Sequence, residues 1–148
     1  MTAPFKRKPV IIVDSREQRP YSFSNRVTHL IQALPAGDYS LQGFEDKVAI
    51  ERKSLDDLVN TVVHERERFE RELAILKDYR YAWIVVEGSW EMIVNENYRS
   101  RITPQSLMGI VTSLMTDYIP MVFAGNRVLA AMVTENLLLR AHKRLIDA

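Results

Sequence analysis

Two acidic residues and a lysine stand at a spacing that suits chemistry on a phosphodiester. Asp38 opens a segment predicted to form a β-hairpin, and Glu51 and Lys53 lie two residues apart on its second strand. Because successive side chains of a strand point to opposite faces, Glu51 and Lys53 share one face and Arg52 points away. If the two strands pair antiparallel, Asp38 reaches the face that carries Glu51 and Lys53.

This combination of residues predicts metal-dependent hydrolysis. Two carboxylates can hold Mg²⁺ or Mn²⁺ while water and phosphate oxygens complete the coordination shell. The ion would neutralise the phosphate and activate water, and Lys53 would position the water or stabilise charge on phosphorus. We therefore predict Asp38, Glu51 and Lys53 as catalytic residues. Their order, acid, acid and lysine, matches the general pattern of restriction-endonuclease-like nucleases.

Composition narrows the class of protein. The 148 residues suffice for one compact domain, predicted for residues 10–148 behind a basic tail at residues 1–9. The absence of cysteine excludes disulfides, thiol nucleophiles and Cys-ligated metals, so any metal should be a hard ion held by oxygens. No apolar run has the length of a membrane span, and no signal-type segment follows the N-terminus. We expect no membrane partner and no secretion. If the phosphodiester belongs to DNA, the protein should work where DNA is found, in the cytoplasm or nucleoid or in a nucleus.

Hydrophobic periodicity predicts alternating strands and helices. The predicted strands cover residues 10–13, 38–42, 47–52, 82–86 and 120–123, and the predicted helices cover residues 27–34, 55–63, 64–78, 104–118 and 128–146. This alternation indicates an α/β domain with a mixed central sheet. No glycine-rich phosphate loop follows the first strand, which argues against a nucleotide-binding enzyme. The last helix is apolar around much of its circumference, which predicts two buried contacts.

The motifs resemble the signature of the xeroderma pigmentosum group F (XPF) family of structure-specific endonucleases. The family pattern is matched by Gly37-Asp38, by Glu51-Arg52-Lys53 and, three residues later, by Asp57-Leu58. The opening Asp14-Ser15-Arg16-Glu17 is similar to the family's Asp-x-Arg-Glu, and Arg68-Phe69 falls where the family places an arginine. The resemblance covers roughly residues 10–144.

The resemblance implies a restriction-endonuclease-like three-layer fold with a mixed central β-sheet flanked by helices. It also implies metal-dependent cleavage near branch points in duplex DNA and a homodimer formed through the last helices. Carried over by position, the metal ligands would be Asp38, Glu51 and the neighbouring Asp14. The residues that would support the site are Asp14, Arg16, Glu17, Arg52, Asp57 and Arg68, and those that would contact DNA are Arg16, Arg52 and Arg68.

One departure from the family pattern concerns DNA affinity. Family members usually continue into a tandem helix-hairpin-helix domain, whereas this chain stops at Ala148. The chain then uses a separate DNA-binding or helicase partner, is a piece of a longer protein, or recognises DNA with the nuclease domain alone. These alternatives stay open at the level of sequence.

Several of the same residues also have simpler interpretations. Asp57 completes a helix capping box that begins at Ser54, which is as good an explanation as a role in the site. Arg66 and Arg68 can form i, i+4 pairs with glutamates of their own helix. Asp14 can begin a turn, and Arg16 and Glu17 can pair on the surface.

The leading functional hypothesis is a Mg²⁺- or Mn²⁺-dependent endonuclease that acts on flap, fork or junction DNA. One alternative is a non-catalytic DNA-binding or dimerisation subunit, and another is a Holliday junction resolvase or a restriction enzyme on the same fold. The intact acidic and lysine positions argue against the non-catalytic alternative.

Overall fold

The computed structural model describes residues 7–148, so residues 1–6 of the predicted basic tail lie outside the described residues. The elements in chain order are β1 (Val10–Asp14), β2 (Thr28–Gln32), β3 (Tyr39–Leu41), β4 (Val48–Ser54), α1 (Leu55–His64), α2 (Arg66–Lys77), β5 (Tyr81–Glu87), α3 (Trp90–Val94), α4 (Pro104–Asp117), β6 (Met121–Phe123) and α5 (Arg127–Ile146). Within residues 7–148, no helix combines the length and the hydropathy needed to cross a membrane.

The six strands form one mixed sheet in the order β2-β1-β3-β4-β5-β6. Strand β3 runs antiparallel to both of its neighbours, and the other neighbouring pairs are parallel. The carboxyl ends of β1, β4 and β5 therefore meet at the same edge of the sheet as the beginning of β3. The predicted α/β fold with a mixed central sheet is confirmed, and so is the hairpin that joins β3 to β4.

Helices cover both faces of the sheet and make three layers. Helices α1, α2 and α4 pack on one face in a core that includes Ala49, Ile84 and Val86. Helix α5 packs on the opposite face in a second core that includes Ile50 and Val85. Alternate residues of β4 and β5 thus enter different cores, because side chains of a strand alternate between its faces.

The helix predicted for residues 27–34 is wrong, since this segment forms the edge strand β2. Val27, Leu30, Ile31 and Leu34 have helical spacing, but Val27 and Leu34 lie outside the strand and are buried there. Leu30 and Ile31 are exposed, and they point to opposite faces of a strand whose five residues all pair with β1. The spacing was accidental in a segment too short for it to decide between helix and strand.

A short helix and the exact start of the last helix were not predicted. Helix α3 covers only five residues, and Ser89 caps it by accepting a hydrogen bond from the Met92 N–H at 3.1 Å. Such a length carries too little periodicity to detect. Asn126 caps α5 by accepting a hydrogen bond from the Leu129 N–H at 2.9 Å.

Candidate active site

The convergence of strand ends creates a cavity of about 330 Å³ at one edge of the sheet. Asp14 ends β1, Asp38 directly precedes β3, and Glu51 lies within β4. All three line the cavity, together with Arg16 and Glu72. Predicted site residues from three separate segments therefore meet in one place.

Backbone geometry fixes the position of Asp38. Its N–H donates to the Ile50 carbonyl at 2.8 Å, and its carbonyl accepts from the Asp14 N–H at 2.9 Å. The preceding Gly37 has φ +76°, and a Cβ there would lie 3.0 Å from the Ala49 Cβ and 3.2 Å from the Ile50 carbonyl oxygen. Glycine is required because the chain must approach β4 closely in a left-handed conformation.

Asp38 and Glu51 are both half-buried, and their carboxyl groups form an acidic pair at the cavity. Burial raises the pKa of Glu51 well above its ordinary value, and the neighbouring Asp38 charge raises it further. Burial also raises the pKa of Asp38, although the Arg52 N–H donates to Asp38 Oδ2 at 2.7 Å and opposes that effect. A charge on Asp38 makes Glu51 harder to ionise, so the site holds two groups that resist simultaneous ionisation.

The donor chemistry of this pair fits a hard divalent cation. Two carboxylates supply the oxygen ligands that Mg²⁺ and Mn²⁺ prefer, and the cavity leaves room for water and phosphate oxygens. Within residues 7–148, however, no three His, Cys, Asp or Glu side chains are grouped closely enough to hold a metal by themselves. The fit therefore rests on Asp38 and Glu51, and direct ligation by Asp14 stays a prediction.

Asp14 is almost fully buried and is already engaged by its neighbours. Burial alone would raise its pKa, but hydrogen bonds from Arg16 and from the Leu34 N–H outweigh burial and hold the pKa below its ordinary value. Arg16 Nε donates to Asp14 Oδ2 at 2.8 Å, and the Leu34 N–H donates to Oδ1 at 2.9 Å. Arg16 thus pairs with Asp14, and the surface pairing of Arg16 with Glu17 is not formed.

Lys53 lies on the Glu51 side of β4, as the strand alternation predicts. Its Nζ donates to Thr61 Oγ1 at 3.4 Å and lies 5.1 Å from the centre of the Phe69 ring. No carboxylate within residues 7–148 lies within ion-pair distance of Nζ, yet its charge lowers the pKa of both Asp38 and Glu51. The ammonium is therefore close to the acidic pair without being neutralised by it.

Arg52 points to the opposite face and joins three segments. Its Nη1 donates to Glu17 Oε2 at 3.0 Å and to the Arg19 carbonyl at 2.6 Å, and its Nε donates to Glu87 Oε1 at 3.1 Å. The guanidinium also lies 4.2 Å above the Tyr21 ring. Only 14% of the side chain is exposed, so this geometry favours the supporting role of Arg52 over the predicted contact with DNA.

Replacing Arg52 with alanine should destabilise the fold by roughly 2–4 kcal/mol, because Glu17 and Glu87 would be left mostly buried without a cation. Urea unfolding followed by circular dichroism measures the change. Arg66→Ala is the matched control, since Arg66 makes only a surface pair with Glu70 at 3.6 Å and should cost no more than about 0.5 kcal/mol. Equal costs for the two variants would contradict the bridging role of Arg52.

Two other predicted site residues, Asp57 and Arg68, do not line the cavity that holds Asp38 and Glu51. The Asp57 N–H donates to Ser54 Oγ at 3.1 Å, so Ser54 caps α1 as predicted. The Asp57 side chain makes no return bond to the Ser54 N–H, and Asp57 borders a neighbouring cavity. Arg68 pairs with Glu65 at 2.8 Å and with Glu72 at 4.0 Å. Their roles in the site or on DNA stay predictions.

Sequence reasoning missed three residues near the site. Glu72 on α2 lines the same cavity as Asp38 and Glu51, and its charge raises the pKa of Glu51. Glu87 at the end of β5 holds Arg52, and Arg127 at the start of α5 borders the neighbouring cavity. The end of the buried strand beside β4 was a signal that could have identified Glu87, whereas no local pattern marks Arg127.

A three-layer α/β domain with an acidic pair and a lysine at the edge of a mixed sheet defines the restriction-endonuclease-like class. A family model for the ERCC4 domain matches residues 13–137. The chain belongs to the ERCC4 domain family, and the resemblance to XPF nuclease domains is confirmed.

Solved structures agree with this assignment. The chain is similar to XPF from Aeropyrum pernix with a TM-score of 0.70 and 28% identity, over 94% of this chain and 68% of that one. It is also similar to XPF from Aeropyrum pernix in complex with DNA, with a TM-score of 0.69 and 27% identity, over 92% of this chain and 66% of that one.

A much longer protein contains a region that is similar in sequence to this chain. A protein of Methanocaldococcus jannaschii, whose given name is that of an ATP-dependent RNA helicase, is 32% identical over 123 residues. The match covers 81% of this chain and 14% of that protein. The chain therefore spans only a small part of this relative's length.

Proposed function

We propose that this protein is a Mg²⁺- or Mn²⁺-dependent endonuclease that hydrolyses phosphodiester bonds near branch points in DNA. The observation that carries the proposal is the convergence of Asp38 and Glu51 in a cavity at the sheet edge, with the charge of Lys53 near enough to lower the pKa of both. Membership of the ERCC4 domain family supports the same chemistry.

Each residue of the site would have a separate role in the proposed hydrolysis. Asp38 and Glu51 would hold the divalent ion, which when bound supplies charge neutralisation and water activation. Lys53 would orient the attacking water or stabilise the charge that develops on the phosphate oxygens as water attacks phosphorus and one ester bond breaks. Asp14, kept ionised by Arg16, adds negative charge beside the acidic pair.

DNA as the substrate is supported by the similar protein of Aeropyrum pernix, whose structure was solved in complex with DNA. The resemblance to the XPF family of structure-specific endonucleases supports the proposed branch specificity. A DNA-binding or helicase partner, or a helicase region in the same polypeptide, is consistent with the relative whose name is that of a helicase and which is much longer than this chain.

A substrate panel tests this function. Labelled fork, 3′-flap, four-way and linear DNA would be incubated with the protein in Mg²⁺ or Mn²⁺, with EDTA as the control. We expect cutting near the branch in the presence of the ion and none in EDTA. Preference for four-way DNA would favour a junction resolvase, cutting of linear DNA at a fixed sequence would favour a restriction enzyme, and binding without cutting would favour a non-catalytic subunit.

We also propose a homodimer formed through α5. One face of this helix packs on the sheet through residues such as Ala130 and Leu138, but Val128, Leu129 and Met132 are 70%, 45% and 56% exposed. Only one of the two predicted buried contacts is thus made within the described part of the chain. Sedimentation at micromolar concentration should show a dimer that Met132→Glu dissociates; a monomeric wild type would exclude it.

A further inference from the structure

A second cavity, of about 560 Å³, lies beside the catalytic cavity. It is bordered by Arg16, Glu17, Gln18, Arg19, Arg52, Ser54, Asp57, Glu87 and Arg127. Arg16 lines both cavities, so the two are neighbours across a single side chain. We call this second cavity the arginine groove.

Some charged side chains of the arginine groove form salt bridges and others do not. Arg52 pairs with Glu17 and Glu87, and Arg16 pairs with Asp14. Within residues 7–148, neither Arg19 nor Arg127 lies within ion-pair distance of a carboxylate. Asp57 also borders the groove, so these two arginines and one carboxylate are the charged groups that no salt bridge neutralises there.

Arg127 is held in place by uncharged acceptors. Its Nη2 donates to the Arg19 carbonyl at 2.9 Å and to the Pro20 carbonyl at 3.0 Å, and its guanidinium lies 5.3 Å from the centre of the Tyr21 ring. Within the described residues its Nε and Nη1 make no hydrogen bond. The guanidinium is therefore oriented, is not paired with a carboxylate within the described residues, and retains donors for an anion.

The backbone of Arg19 is equally well fixed. Its carbonyl accepts from Arg52 Nη1 at 2.6 Å as well as from Arg127. The Arg19 side chain is exposed and makes no hydrogen bond within the described residues. A rigid backbone thus presents a cationic side chain beside Arg127.

We propose that Arg19 and Arg127 bind a backbone phosphate of the DNA strand that leaves the catalytic cavity past Arg16. The proposal rests on the proposed nuclease function, because the ligand is a phosphodiester of the same strand that is cut. Arginine suits this role since its planar donors match phosphate oxygens. A phosphate contact of this kind sets the register of the strand and carries no base information.

Salt-dependent binding tests the proposal independently of cleavage. Fork DNA would be titrated in EDTA with wild type, Arg19→Gln, Arg127→Gln and the control Arg80→Gln, whose exposed arginine directly precedes β5 at the opposite end of the sheet. Arg19→Gln and Arg127→Gln should each weaken binding several-fold and make the slope of log K against log salt shallower by about 1. Arg80→Gln should leave both quantities unchanged.

A phosphate scan identifies the contact. One methylphosphonate at a time would replace each phosphate on either side of the cut, and one position should weaken wild-type binding but not Arg19→Gln binding. Within the described residues the Arg19 side chain has no hydrogen bond or ion pair to lose, so this variant remains informative if Arg127→Gln disturbs the loop. Equal binding by Arg19→Gln and Arg80→Gln, or a scan without such a position, would overturn the groove assignment. A wild type that binds but never cuts would instead overturn the proposed function.

Discussion

Lys53→Ala should slow single-turnover DNA cleavage by about 10²–10³-fold while leaving DNA affinity within a few-fold of wild type. A cation placed where charge develops acts mainly on the transition state and contributes on this scale. Lys53 Nζ makes one hydrogen bond, to Thr61, and no ion pair within the described residues, so its removal should affect the rate far more than folding. Quenched-flow cleavage at saturating enzyme measures the rate, and fluorescence anisotropy measures the affinity.

Lys47→Ala is the matched control, because Lys47 is exposed and precedes β4 at the end opposite the site. It removes the same charge and should leave the cleavage rate unchanged. A Lys53→Ala protein that cuts as fast as Lys47→Ala would exclude a catalytic role. A Lys53→Ala protein with both a weaker affinity for DNA and a lower melting temperature would point to a structural role.

Glu51→Gln should abolish divalent-ion-dependent cleavage and stabilise the metal-free protein. Burial and the Asp38 charge raise the pKa of Glu51 in the folded state, so folding favours its protonated form. That contribution to stability is complete below the unfolded pKa of about 4.5 and is lost as the pH rises through the raised folded value. At neutral pH an ionised Glu51 therefore lowers the free energy of unfolding, and glutamine cannot ionise. We expect Glu51→Gln to raise the free energy of unfolding by about 1 kcal/mol, or Tm by about 2–4 °C.

The same substitution should remove the stabilisation that Mg²⁺ or Mn²⁺ gives to wild type, since a ligand that binds only the folded state raises Tm. Differential scanning fluorimetry in EDTA and in a Mg²⁺ series measures both effects. Glu67→Gln on the exposed side of α2 is the control, and it should change neither Tm nor the response to the ion. A lower Tm for metal-free Glu51→Gln would contradict the picture of a repulsive acidic pair.

The geometry of the candidate site could be predicted because it depends on local periodicity. One residue, Arg52, separates Glu51 from Lys53 on one strand, and alternation alone puts these two on one face with Arg52 on the other. The hairpin then brings Asp38 to the same edge, where the structure places it with its N–H on the Ile50 carbonyl. Buried apolar runs likewise identified β1, β4 and β5.

The parts that depend on distant contacts could not be predicted. Arg127 reaches the site region through the carbonyls of Arg19 and Pro20, more than 100 positions earlier in the chain. Arg52 was expected to contact DNA. Only the three-dimensional positions of Glu17 and Glu87 show that its guanidinium is bound by these two carboxylates. Strand β2 was missed because its pairing with β1, and not its own pattern of apolar residues, determines its conformation.

The most direct test of a metal-dependent site at Asp38 and Glu51 is a Mg²⁺ titration of wild type with two readouts, Tm and single-turnover cleavage of fork DNA. If these carboxylates hold the ion that supports hydrolysis, both readouts should rise with Mg²⁺, with midpoints in the same concentration range, and Glu51→Gln should show neither response. Cleavage that persists in EDTA, or a wild type that saturates with Mg²⁺ and binds fork DNA without cutting it, would contradict the account.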